Sequence, residues 1–197
     1  MWPFSPPIRD KVVLVLPHTF FHNAFRCYMG GGYSLHDWTT LVRCRFIASF
    51  IIEKQLEEQT DFFAAASENA VKAFLQDFDD YAPAIGAENV LPLFRSALEL
   101  ECDPDIEKLG DYGSTIAIAN KKSQSSEVTP VVIVNSNGRA NFVQETIKFY
   151  KQPYGQFRQE DIPFKIMDAI EVTNMLDKKY PDAVKTVKNS LPEVFKF

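Results

Sequence analysis

Apolar residues fall along this chain in two rhythms, short unbroken runs and longer helical repeats. Val12-Val13-Leu14-Val15-Leu16 is a β-branched run held between Lys11 and Pro17, and it predicts a buried strand. Residues 18–29 read as a short helix with Phe21, Phe25 and Tyr28 on one face. Gly30-Gly31-Gly32 ends it, because each glycine costs a helix about 1 kcal/mol relative to alanine. Ser34 is then an N-cap, with Asp37 three residues on as an approximate capping box. Leu35, Trp38, Leu41, Val42, Phe46, Ile47, Phe50, Ile51 and Leu56 follow at helical spacing, which predicts a long central helix reaching Gln59. Arg43 and Arg45 interrupt its apolar stripe, so each must reach solvent or find a carboxylate. Thr60-Asp61 caps a second helix carrying Phe63, Ala66, Ala70, Phe74, Phe78 and Tyr81. A third helix is expected over residues 88–101, and one more helical turn over 103–109, closed by Gly110.

From Gly113 the pattern shortens. Thr115-Ile116-Ala117-Ile118-Ala119 and Val131-Val132-Ile133-Val134 read as strands, with residues 121–129 as a hairpin connection. Asn137-Gly138 is a hairpin-turn signal. Residues 140–150 fit either period: Phe142, Val143, Ile147 and Tyr150 suit a helix, whereas Val143, Glu145, Ile147 and Phe149 suit one strand face. The Asn-Gly turn and the β-branched Thr146 and Ile147 favour the strand. Pro163 opens a helix with Ile166, Ala169, Ile170, Thr173, Leu176 and Tyr180 inward, and Pro181 starts a shorter one with Val184, Val187 and Leu191. The expected fold class is α+β, mainly helical, with a small antiparallel sheet of three to four strands. Residues 1–10, holding Pro3, Pro6 and Pro7, form a stiffened N-terminal arm, and residues 11–197 form one domain.

Composition narrows the function classes. Of 197 residues, 46% are apolar and 24% charged, which excludes a disordered ground state. No apolar run approaches the roughly 20 residues of a membrane span, so no membrane partner is expected. The net charge of −5 argues against nucleic acid as the main partner. Charge is unevenly placed: residues 1–32 carry +2, residues 33–110 carry −9 and residues 111–197 carry +2. Cys27, Cys44 and Cys102, odd in number and widely spaced, form no disulfide framework, and with no secretory pattern at the N-terminus the expected location is cytoplasmic.

Few residues arrange themselves for chemistry. His18 and His22, at i and i+4, place two imidazoles on one helical face, the spacing of a shared metal. Arg26 extends that row, and Cys27 or His36 supplies a third ligand only through the fold. Without an HExxH glutamate no metal site is assigned, and no cofactor is expected. Cys27 with His22 or His36 is the candidate thiol nucleophile and base. Cys44, flanked by Arg43 and Arg45, has charges that lower a thiol pKa, although a small core residue is the simpler role. Gly30-Gly31-Gly32 before Ser34 offers backbone amides to an anion but lacks a nucleotide-binding pattern. Asp103, Asp105 and Asp111 lack EF-hand spacing. Asn135, Asn137 and Arg139 make a polar group at a strand end.

These observations order three functions. The first is a non-catalytic protein-binding module with an acidic surface, such as an inhibitor, an immunity-type or a regulatory protein, whose partner is another protein with a basic surface. The second is a carrier of an apolar small molecule in a Phe-rich cavity between helices, since the chain holds 17 Phe. The third is a small enzyme built on His18, His22 and Cys27.

Overall fold

Residues Val12 to Leu16 are each at most 2% exposed, and Val131 to Val134 at most 5%. A strand buried on both faces belongs to a parallel sheet covered by helices on either side, because an antiparallel sheet typically leaves one face to water. The computed structural model describes residues 8–17, 20, 35–58, 68–81, 111–195 and 197. Among them run β1 (Lys11–Val15), α1 (Leu35–Glu58), α2 (Glu68–Tyr81), α3 (Asp111–Ser123), β2 (Val128–Ile133), α4 (Arg139–Tyr154), β3 (Lys165–Met167), α5 (Ala169–Lys179) and α6 (Pro181–Ser190). The described chain is mainly helical with a three-stranded sheet ordered β1-β2-β3. Both pairings are parallel, with Val12 opposite Thr129 and Leu14 opposite Val131, then Val132 opposite Ile166. The expected antiparallel sheet is therefore wrong.

Side chains alternate across this sheet and fill two separate cores. Val12, Leu14, Val131 and Ile133 face α1, α2, α5 and α6, with Phe46, Phe50, Phe78, Val172, Leu176 and Val184. Val13, Val15, Val132 and Ile166 face α3 and α4, with Ile116, Ala119, Phe142, Val143 and Tyr150. The result is three layers. Helices α3 and α4 precede β2 and β3 respectively and share one face. Pro130 sits within β2 one residue before β3 begins to flank it, where a missing amide donor is tolerated.

Five local expectations change with this topology. Thr115–Ala119 belongs to α3, not to a strand, and residues 121–129 are no hairpin: they hold the end of α3, a connection over 124–127 and the start of β2. Asn137-Gly138 closes a 3-10 turn over Ser136–Gly138 that leads into a helix, because a parallel strand needs a crossover next. Residues 140–150 are helical: Phe142, Val143, Thr146 and Tyr150 are the buried positions, a 3.6-residue period. Ile166 lies on β3, and the helix expected from Pro163 starts only at Ala169. Its N-cap is Asp168, which accepts from the Glu171 amide at 2.9 Å while Glu171 accepts from the Asp168 amide at 3.0 Å. By contrast β1, α1, the 68–81 part of the second helix and α6 form where the pattern puts them. Residues 1–7 of the arm, residues 21–29 and residues 82–110 lie outside the described residues.

The second core leaves one hydroxyl unpaired. Tyr150 is 4% exposed and its hydroxyl has no hydrogen-bond partner among the described residues. Burial, with Tyr154 adding to it, pushes Tyr150 up to about 12. The unfolded chain loses this proton near pH ~10. The folded state therefore holds the proton more tightly, and its stability contribution is intact below pH ~10 and lost as pH rises toward 12. Urea unfolding between pH 9 and 12 is expected to show the parent chain losing about 2 kcal/mol more than Tyr150→Phe. Parallel pH profiles for the two proteins would contradict this.

Candidate functional site

All three strands run the same way, so their carboxyl ends share one edge of the sheet. After β1 the chain continues through Leu16 and Pro17 to Phe20 and returns as α1 on the first face, whereas after β2 it turns into α4 on the second. The chain leaving β1 and the chain leaving β2 thus part to opposite faces at this edge, and the carboxyl ends of the strands are where ligands bind in open parallel sheets. Asn135 sits there at the end of β2, 7% exposed, and its side-chain amide donates to the Phe20 carbonyl at 3.3 Å. That bond ties the segment beyond β1 to the end of β2. The turn Ser136–Gly138 follows, and α4 begins with no side-chain cap and no acidic residue in its first turn.

Arg139, just beyond β2, reaches across to β3 and α5. One of its terminal nitrogens donates to the Ile166 carbonyl at 2.6 Å and meets Glu171 Oε2 at 2.8 Å. Arg43 of α1 reaches the same helix end, where it donates to the Thr173 hydroxyl and lies 4.4 Å from the centroid of the Phe197 ring. Burial lowers the pKa of the Arg43 guanidinium from its ordinary value, and the Asp168 carboxylate pulls it back up. The Nε atoms of both arginines are buried without a partner among the described residues. Asp168 and Glu171, the acids at this edge, are held by the α5 capping box and by Arg139. These contacts tie the start of α5 to Arg139, which also bonds β3 at Ile166.

The structure separates the residues singled out in the sequence. His18, His22 and Cys27 lie outside the described residues, as do Gly30-Gly31-Gly32, Ser34, Cys102, Asp103 and Asp105. His36 falls in the first turn of α1 and Asp111 opens α3. Cys44 is fully buried in the first core. Arg45 finds its carboxylate, with Nε and Nη2 donating to the two oxygens of Asp79 at 2.9 and 3.0 Å. Asn135 and Arg139 are brought to the carboxyl edge. Sequence reasoning missed Asp168 and Glu171, although Asp168-x-x-Glu171 before an apolar repeat is a capping-box signal. Among the described residues no cluster of His, Cys, Asp or Glu is arranged to hold a metal ion, and no helix is long and apolar enough to cross a membrane.

Comparison with protein-family models, with curated proteins and with solved structures finds no match for this chain. Its class rests on its own geometry: a three-layer, all-parallel architecture with a polar edge where the strands end.

Proposed function

We propose that this chain binds a small polar ligand at the carboxyl edge of its sheet, over the ends of β1 and β2. The observation that carries the reading is the pair of diverging connections, fastened together by Asn135 on the Phe20 carbonyl. His18, His22 and Cys27 follow Pro17 in the sequence and lie outside the described residues. The test is an NMR screen of the full chain with small carboxylates, phosphates and amides. Shifted amides are expected at residues 16–20 and 135–139. Binding confined to α1 and α2, or no binding at millimolar concentrations, overturns the reading.

A second reading is a cytoplasmic, non-catalytic protein-binding module with an acidic surface, an inhibitor, immunity-type or regulatory protein. One observation favours it. Neither α1 nor α2 has a basic residue in its last turn; Glu57 and Glu58 end α1, and Asp77, Asp79 and Asp80 lie at the end of α2. Acids at a helix C-terminus oppose the helix dipole, so apart from Asp79, which pairs with Arg45, these positions gain nothing from the dipole. The partner is a protein with a basic surface, and association slows steeply with salt. Substituting Lys for Glu57, Glu58, Asp77 and Asp80 is expected to raise the unfolding midpoint while abolishing that association.

A further inference from the structure

Phe197 rests on a seat made by two helices. Its ring centroid lies 4.4 Å from the Arg43 guanidinium carbon of α1 and 4.4 Å from Lys188 Nζ of α6. Phe46 of α1, fully buried, meets the same ring edge-on at 5.3 Å and 85°. The seated ring is itself shallow, with Phe197 38% exposed. Two residues earlier the chain is anchored: Phe195 is buried in the first core and packs on Phe78 at 4.9 Å and 71°. A phenyl face attracts cations through its quadrupole but carries no net charge, so the ring neutralises neither Arg43 nor Lys188. Asp168, whose carboxylate acts on Arg43, is committed to the Glu171 amide.

We propose that Arg43, Phe46 and Lys188 form a seat for an aromatic side chain flanked by a carboxylate on a partner protein, and that Phe197 occupies this seat in cis. Phe46 supplies an apolar edge for the ring, and the two cations supply charge for the acid. With Phe195 anchored two residues away, Phe197 is present at an effective concentration of about 10 mM. A free ring with a Kd of about 1 mM is then held off about tenfold, and its carboxylate is what lets it compete. The seat lies between α1 and α6, apart from the ends of β1 and β2, and does not depend on ligand binding there.

The test is NMR titration of the full chain with 3-phenylpropionate and with 3-phenylpropanamide, a neutral ligand with the same ring. The parent is expected to bind each no more tightly than about 10 mM. Phe197→Ala is expected to bind 3-phenylpropionate near about 1 mM, with shifted amides at residues 43–50 and 184–191, and the amide about fivefold more weakly. Phe197→Leu, which keeps an apolar cover on Phe46 without a π face, is expected to fall between the two. Adding Lys188→Gln to Phe197→Ala is expected to remove most of the preference for the carboxylate. Phe197 variants that bind 3-phenylpropionate no more tightly than the parent, or that bind both ligands equally, overturn the proposal. So do shifts confined to residues 135–139, and so does a parent that dimerises through Phe197, which gives the seat to a second copy of this chain.

Discussion

Phe142→Ala is expected to cost about 3–5 kcal/mol, read as a lower urea midpoint with an unchanged slope. Phe142 is fully buried in the first turn of α4. Its ring lies 5.5 Å from Tyr112 of α3 and 6.5 Å from Phe164, which leads into β3. One side chain thus joins both helices of the second layer to the third strand. Truncation removes its burial and leaves a cavity that two helices and a strand cannot close together. A protein of this size has about 5–15 kcal/mol of stability in all, so the loss is a large fraction. Phe149→Ala, at a partly buried position, is expected to cost only about 1–2 kcal/mol. Equal losses at the two positions would mean that α4 does not pack on the sheet through Phe142.

How far the sequence revealed this fold depends on element length. α1 spans 24 residues, and its apolar stripe is legible because many turns repeat it. α6 is legible for another reason: Pro181 marks its start and Val184 and Val187 define its inner side. The Thr115–Ala119 window misleads because five residues of alternating size satisfy both periods. Only the buried set Thr115, Ile116 and Ala119, seen within a 13-residue helix, resolves it. β3 is three residues long, too short to declare any period before Asp168 starts the next helix. Strand direction was legible in principle: Val12–Leu16 and Val131–Val134 show no polar alternation, which marks strands covered on both faces. The Asn-Gly pair outweighed that signal, although the turn it makes here leads to a crossover helix. The candidate site was legible only in part. Asn135 and Arg139 stand close in sequence, whereas Arg43 and Phe20 reach the edge through tertiary packing that no local spacing encodes.

Arg139→Ala is expected to cost about 2 kcal/mol, and most of that loss should persist in 1 M salt. Two interactions disappear together, and their magnitudes differ. The ion pair with Glu171 joins side chains that are 26% and 42% exposed, where such pairs are worth at most about 1 kcal/mol and are screened. The bond to the Ile166 carbonyl is the larger contribution, because Ile166 is 3% exposed and its carbonyl, near the end of β3, would lose the arginine as its donor. Salt does little to a bond of that kind. Arg139→Lys should recover part of the loss, since one nitrogen, Nη2, makes both contacts and an ammonium carries three donors, although on a shorter stem. Glu171→Gln, which keeps an oxygen for the Asp168 amide, should cost under about 1 kcal/mol. The order of the three variants in urea unfolding at low and high salt therefore separates a backbone clamp from a surface ion pair. A loss at Arg139→Ala that falls below about 0.5 kcal/mol in 1 M salt assigns the arginine to the ion pair, and leaves β3 to be held at the carboxyl edge by its ladder with β2 and by the α5 capping box.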